Sequence, residues 1–171
     1  MGELIGRFID ICLLRAGPQD LPASSVLRSL TLFAYVASGV MILLPSASFG
    51  SAVAQALVDT LLLVALLWAV LRWRGLPERF DQALTALAGT GALLGLAALP
   101  LVLTVYQADA AGVAAPFQSL LLLVLFFWTL AVNGHILRHT LATSYAMGLL
   151  LGTVYVVLSL GVLGLFFPHA G

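Results

Sequence analysis

Pro116–Thr140 reads PFQSLLLLVLFFWTLAVNGHILRHT. Leu120 to Trp128 is an unbroken apolar run. Polarity returns at Asn133 and gathers in His135, Arg138 and His139. A stretch this long and this apolar predicts a membrane-spanning helix over 116–137. Composition agrees along the whole chain. Of 171 residues, 62% are hydrophobic and 8% charged, and mean hydropathy is +1.13. Soluble domains carry about a quarter of charged residues. So apolar a chain lacks the polar surface that water requires, and the lipid bilayer is its expected solvent.

Outward from that stretch, four further spans are predicted, at about 26–44, 52–71, 83–105 and 142–167. The expected fold class is all-α, a five-span helical bundle over residues 23–171. Residues 1–22 form a separate amphipathic segment. Leu4, Ile5, Phe8, Ile9 and Cys12 repeat there at helical spacing, with Glu3, Arg7 and Asp10 on the opposite stripe. Two turns of apolar face are too short to span. The segment is expected either in the membrane interface or against the end of the bundle. Gly17-Pro18 stops it, and Ser24 or Ser25 can cap the first span. No continuous apolar run precedes it, so no cleavable signal peptide is expected. Arg138-His139-Thr140 reads as a tight turn, which makes the last two spans antiparallel neighbours. Pro168–Gly171 is a short stub.

All seven basic residues are arginine. Arg7, Arg15 and Arg28 come at or before the start of span one. Arg72, Arg74 and Arg79 separate spans two and three. Arg138 separates four and five. Threading five spans puts every arginine on one side, and by the positive-inside rule that side is the cytoplasm. The N-terminus is then cytoplasmic and the C-terminus outside, as in a bacterial inner-membrane protein. The formal net charge of zero argues against a nucleic-acid partner. One cysteine, Cys12, rules out an internal disulfide framework.

Helices associate in lipid through close backbone approach. Gly91-x-x-x-Gly95 in span three and Gly148-x-x-x-Gly152 in span five are the expected contact stripes, with Ala52-x-x-x-Ala56 a weaker one. Pro100 is expected to bend the outer half of span three. Gly89 to Gly95 has a passing likeness to a dinucleotide fingerprint, but it lies inside a span with no strand before it.

Asp59 is the sharpest anomaly. It lies about 12 Å inside span two, where an ionised carboxylate costs about 2.5–3.5 kcal/mol on insertion scales. It must face the bundle, be protonated or be paired, and no arginine shares its depth, which excludes a salt bridge within the chain. Gln55 lies one turn away, and Ser159 and Thr104 are expected at similar depth. A second cluster, Asn133, His135, Arg138 and His139, marks the cytoplasmic end of span four. His135 and His139, four apart, share a helix face and have the spacing of two metal ligands. A third ligand would have to come from Cys12, Glu78 or Asp81, since His169 lies across the membrane. A polar interfacial cap explains the pair without a metal. No catalytic constellation is present, no cofactor is predicted, and no enzyme activity is expected.

The order of features resembles the Yip1-type membrane proteins, bacterial branch. The likeness runs over about 50–167. It is carried by Phe80–Ala98 (FDQALTALAGTGALLGLAA), by the Trp128 span ending Asn133-Gly134-His135-Ile136-Leu137-Arg138, and by the glycine-rich last span. It implies a cytoplasmic N-terminal segment followed by five spans. Eukaryotic relatives are tied to vesicle trafficking and small GTPases and carry a long cytoplasmic N-terminal region, where only the short amphipathic segment is expected here. Bacterial relatives are mostly without assigned activity, and the resemblance assigns no functional residue.

Three functions fit these observations. One is an accessory or scaffold subunit that meets a membrane-protein partner or forms a homo-oligomer. Another is a small transporter or proton-coupled component using Asp59. The last is a metal- or haem-associated redox subunit using His135 and His139.

Overall fold

The structure, a computed structural model, describes residues 2–167. The stub at 168–171, with His169, lies outside the described residues. Six helices carry the chain: α1 Gly2–Cys12, α2 Ser25–Leu43, α3 Phe49–Arg74, α4 Phe80–Ala110, α5 Pro116–Leu141 and α6 Tyr145–Phe166. Short 3-10 turns at Pro18–Asp20 and Pro77–Arg79 precede α2 and α4. The described residues contain no strand. Helices α2 to α6 are all long and apolar enough to cross a membrane. The protein is an all-helical, multi-pass integral membrane protein.

Local chemistry sets the helix ends. Ser24, Ser48 and Ser144 each accept a hydrogen bond from the third residue of the helix they open, which satisfies a donor the first turn leaves free. Gly75 ends α3 in the left-handed conformation, with φ 70°, where a glycine has no Cβ penalty. Helices α3, α4 and α5 run further than hydropathy alone suggests, and α6 starts later. Arg138-His139-Thr140 is not a turn but the last helical turn of α5. Basic side chains there favourably meet the negative end of the helix dipole. The chain reverses at Ala142–Ser144 instead, with Ala142 at φ 49°. Pro100 does not end α4, which continues unbroken to Ala110.

The five spans close into a ring. Helix α2 packs on α3 and α4, α4 on α5, α5 on α6, and α6 returns to α3. At one end of the ring Arg28 pairs with Asp81. Arg79 Nη1 donates to the Thr140 carbonyl at 2.8 Å. Arg74 reaches the Leu141 carbonyl at 3.5 Å. This is the arginine end. The packed core lies toward it: Leu63, Leu67, Leu71, Leu84, Ile136 and Leu141 belong to one buried cluster, and Ala83 to Thr90 are all buried. Six of those eight positions are Ala, Gly or Thr, so neighbouring backbones approach α4 closely.

Helix α1 docks on α4 and α5. Phe8, Ile11 and Cys12 are buried, and Phe8 lies over Gly89, where a Cβ would collide with its ring. Trp128 Nε1 donates to the Cys12 carbonyl at 3.0 Å. Ile5, Ile9 and Leu13 stay exposed on the other side of the helix. The segment thus has one stripe on the bundle and one facing outward.

The glycine stripes lie against neighbouring helices. Gly91 faces Tyr35, and Gly95 faces Ser38 and Ile42 of α2. Gly148 and Gly152 lie against α5. Their partner surface is Gly134, whose own Cβ would press on the backbone of Leu149 at 3.0 Å. Ala52 and Ala56 are both buried, with Ala56 3.4 Å from the Cβ position of Gly39 in α2.

Candidate functional site

Asp59 faces the middle of the ring. Tyr35 of α2 donates its hydroxyl to Asp59 Oδ2 at 2.7 Å. Tyr155 of α6 donates to Oδ1 at 2.8 Å. Ser159, one helical turn beyond Tyr155, donates to the same oxygen. The two tyrosine oxygens are 3.1 Å apart. Three spans thus meet at one carboxyl group. The donors come from helices on either side of α3, so Asp59 joins the ring's α2–α3–α6 arc.

Beside this cluster is a cleft of about 440 Å³ whose wall takes residues from all five spans. Its lining is apolar apart from Ser38, Thr129, Asn133 and the Asp59 group. A smaller void of about 70 Å³ shares Leu63, Leu87, Asn133 and Tyr155 with it and continues among Leu67, Val70 and Leu137. No fully buried side-chain nitrogen or oxygen among the described residues lacks a partner.

The Asp59 group has an unusual chemical property. With the carboxylate ionised, Tyr35, Tyr155 and Ser159 all donate to it. With a proton on Oδ2, the same heavy atoms form a closed ring. Oδ2–H donates to Tyr35, Tyr35 donates to Tyr155, and Tyr155 donates back to Oδ1. Only hydroxyl hydrogens rotate between the two arrangements. Both states are therefore hydrogen-bonded without movement of the helices, and neither leaves a polar atom bare in an apolar setting.

The remaining sequence candidates separate. Gln55 does not join Asp59; its amide donates to Ser51 at 3.0 Å on its own helix. Thr104 is exposed and back-bonds to the Pro100 carbonyl at 2.7 Å, the local bond a threonine makes when nothing else is in reach. Asn133 leaves the histidines and faces the central cleft. His135 is buried and donates Nε2–H to the Ala16 carbonyl at 2.9 Å, which ties the turn after α1 to α5. His139 stands edge-to-face against it, ring centres 4.7 Å apart, and its Nε2 accepts from Arg138 Nε at 3.2 Å. Among the described residues no three His, Cys, Asp or Glu side chains converge as metal ligands do. Each imidazole commits one ring nitrogen to these bonds, His135 to the Ala16 carbonyl and His139 to Arg138. Cys12 is buried, and burial raises its thiol pKa to about 11.

Neither Tyr35 nor Tyr155 stands out in the sequence. One signal was available. Each tyrosine lies ten residues past the first residue of its helix, Ser25 and Tyr145, on two helices that both start at the arginine end. Both therefore reach the same depth, about 15 Å along the helix.

Comparison with protein families, with characterised proteins and with solved structures returns no match.

Proposed function

We propose that this integral membrane protein is a small, non-enzymatic, proton-coupled component, with Asp59 as the group that takes up and releases the proton. The carrying observation is the Asp59–Tyr35–Tyr155 ring, which is hydrogen-bonded in both protonation states. The neighbouring cleft supports the same reading, because it gives a solute a place beside the carboxyl group. Intramembrane ionisable residues that face a cavity mark substrate or proton pathways in membrane proteins. The reading places the chain in a bacterial inner membrane with its arginine end in the cytoplasm, on the positive-inside rule. The Yip1-type resemblance belongs to the proposal too, resting on the order of the five spans and the N-terminal helix.

The test uses vesicles carrying the purified protein and an entrapped pH-sensitive dye. An imposed pH gradient should relax faster with the wild-type protein than with Asp59→Asn or empty vesicles. Equal rates in all three would remove the proposal.

A second reading is an accessory or scaffold subunit. It is favoured by the half of α5 away from the arginine end, where Phe117, Leu120, Leu123, Val124 and Phe127 are exposed and no other helix covers them. Mild-detergent purification tests it. Stoichiometric recovery of a larger membrane complex would support it, and a homo-oligomer alone would count against it.

A further inference from the structure

A second cleft, of about 720 Å³, opens at the arginine end, away from Asp59. The ends of α4, α5 and α6 and the Pro18–Asp20 turn form its walls. Arg79, Arg138 and His139 line it, with Gln82, Ser144 and Tyr145. No Asp or Glu lines it. Among the described residues the only arginine–carboxylate pair is Arg28 with Asp81. Arg79 and Arg138 therefore face this cleft without a counter-ion. Arg79 uses one nitrogen on the Thr140 carbonyl, and Arg138 uses Nε on His139. Five N–H donors per guanidinium leave most of each fork free. The Tyr145 ring, 5.8 Å from the Arg138 guanidinium carbon, helps hold it in place. Asp20, on the turn that forms one wall, accepts from the Gly17 amide at 2.8 Å and acts electrostatically on His139, but it pairs with neither arginine.

Two forked, uncompensated guanidiniums across a polar cleft match the oxygens of a phosphate group. Exposed Trp68 and Trp73 near the same end of α3 mark the level where aromatic side chains meet headgroups. We infer that this cleft binds a phosphate group, carried by the headgroup of an anionic phospholipid or by free phosphate. The site is independent of the Asp59 reading.

The full-length protein in mild detergent would be titrated with short-chain phosphatidylglycerol, with the matching phosphate-free diacylglycerol, and with inorganic phosphate. Binding is read by native mass spectrometry. Phosphatidylglycerol should bind and the diacylglycerol should not. Arg138→Gln should weaken binding about tenfold or more. Arg72→Gln, outside the cleft, should leave it unchanged. Phosphate that binds alone and displaces the lipid would make the free anion sufficient; lipid that binds without displacement would identify the headgroup. Either result upholds the site. Equal binding of diacylglycerol and phosphatidylglycerol would overturn it, as would wild-type affinity in Arg138→Gln. If Arg138→Gln does not fold, the comparison of the two lipids on the wild-type protein still decides.

Discussion

Tyr35 and Tyr155, 120 residues apart in the chain, bring their hydroxyl oxygens to 3.1 Å and clasp opposite oxygens of Asp59 between them. A carboxyl group held this way is both a structural tie and a proton site. The two roles respond differently to substitution.

Asp59→Asn keeps the size of the side chain and its capacity to accept from Tyr155 and donate to Tyr35. The fold should survive with a loss of about 1 kcal/mol or less. A pH-sensitive carboxyl band in the infrared spectrum of the reconstituted protein should vanish. Asp59→Ala instead strands three hydroxyls and should lower stability by about 1–3 kcal/mol. If the infrared band persists in Asp59→Asn, some other carboxyl group titrates.

Tyr155→Phe opens the ring without emptying the space. It should cost about 1 kcal/mol of stability. Combined with Asp59→Asn, it should show a coupling energy of about 0.5–3 kcal/mol in a double-mutant cycle. Additive losses would mean that the hydroxyl and the carboxyl do not act as a unit.

Gly148 is where α6 comes closest to α5. A Cβ there would run into the Gly134 carbonyl and the Arg138 amide, both backbone. Gly148→Val should therefore force the helices apart, at a cost of about 1–3 kcal/mol or more. Gly164→Ala, on the same helix with open space around it, is the matched control and should be neutral or stabilising. Denaturant unfolding of the two variants in detergent separates the outcomes.

Ala142 carries a left-handed backbone, φ 49°, at an exposed position after α5. The left-handed region costs a non-glycine residue about 1–2 kcal/mol. Ala142→Gly should raise stability by about 1 kcal/mol, less than the full strain because glycine also loosens the unfolded chain. A lower melting temperature would show that the methyl group makes a contact that matters.

Burial lifts the Cys12 thiol from 9.0 to about 11. The thiolate is the reactive form, so raising a thiol pKa lowers reactivity at every pH below it. At pH 8 the folded protein should alkylate about a hundredfold more slowly than an unshifted thiol. The rate should climb as pH rises toward 11, and denaturation should abolish the protection. Rapid labelling of the native protein at pH 8 would mean that α1 undocks readily.

Hydropathy is a local property, and what depends on it was legible in the chain. The five spans, the amphipathic N-terminal helix and the grouping of arginines follow from residues read in order. So do the contact stripes at Gly91, Gly95, Gly148 and Gly152, because small residues four apart form one face of their own helix whatever lies opposite. Asp59 stood out for a similar reason: its depth is a count along one helix. Ser159 meets the carboxyl group as its depth suggests, whereas Thr104 lies about 20 Å along α4 beyond Gly91, the residue that faces Tyr35. Depth does not say which way a side chain points around the axis. Rotation about each helix axis is decided by packing against neighbours, and so only the tertiary structure separates Asn133 from His135 and turns it toward the cleft. It also pairs Gly134 with Gly148, and it bonds His135 to the Ala16 carbonyl. Tyr35 and Tyr155 come from opposite ends of the chain. Their meeting at Asp59 follows from the ring closing, α6 back onto α3, and no local pattern encodes that closure.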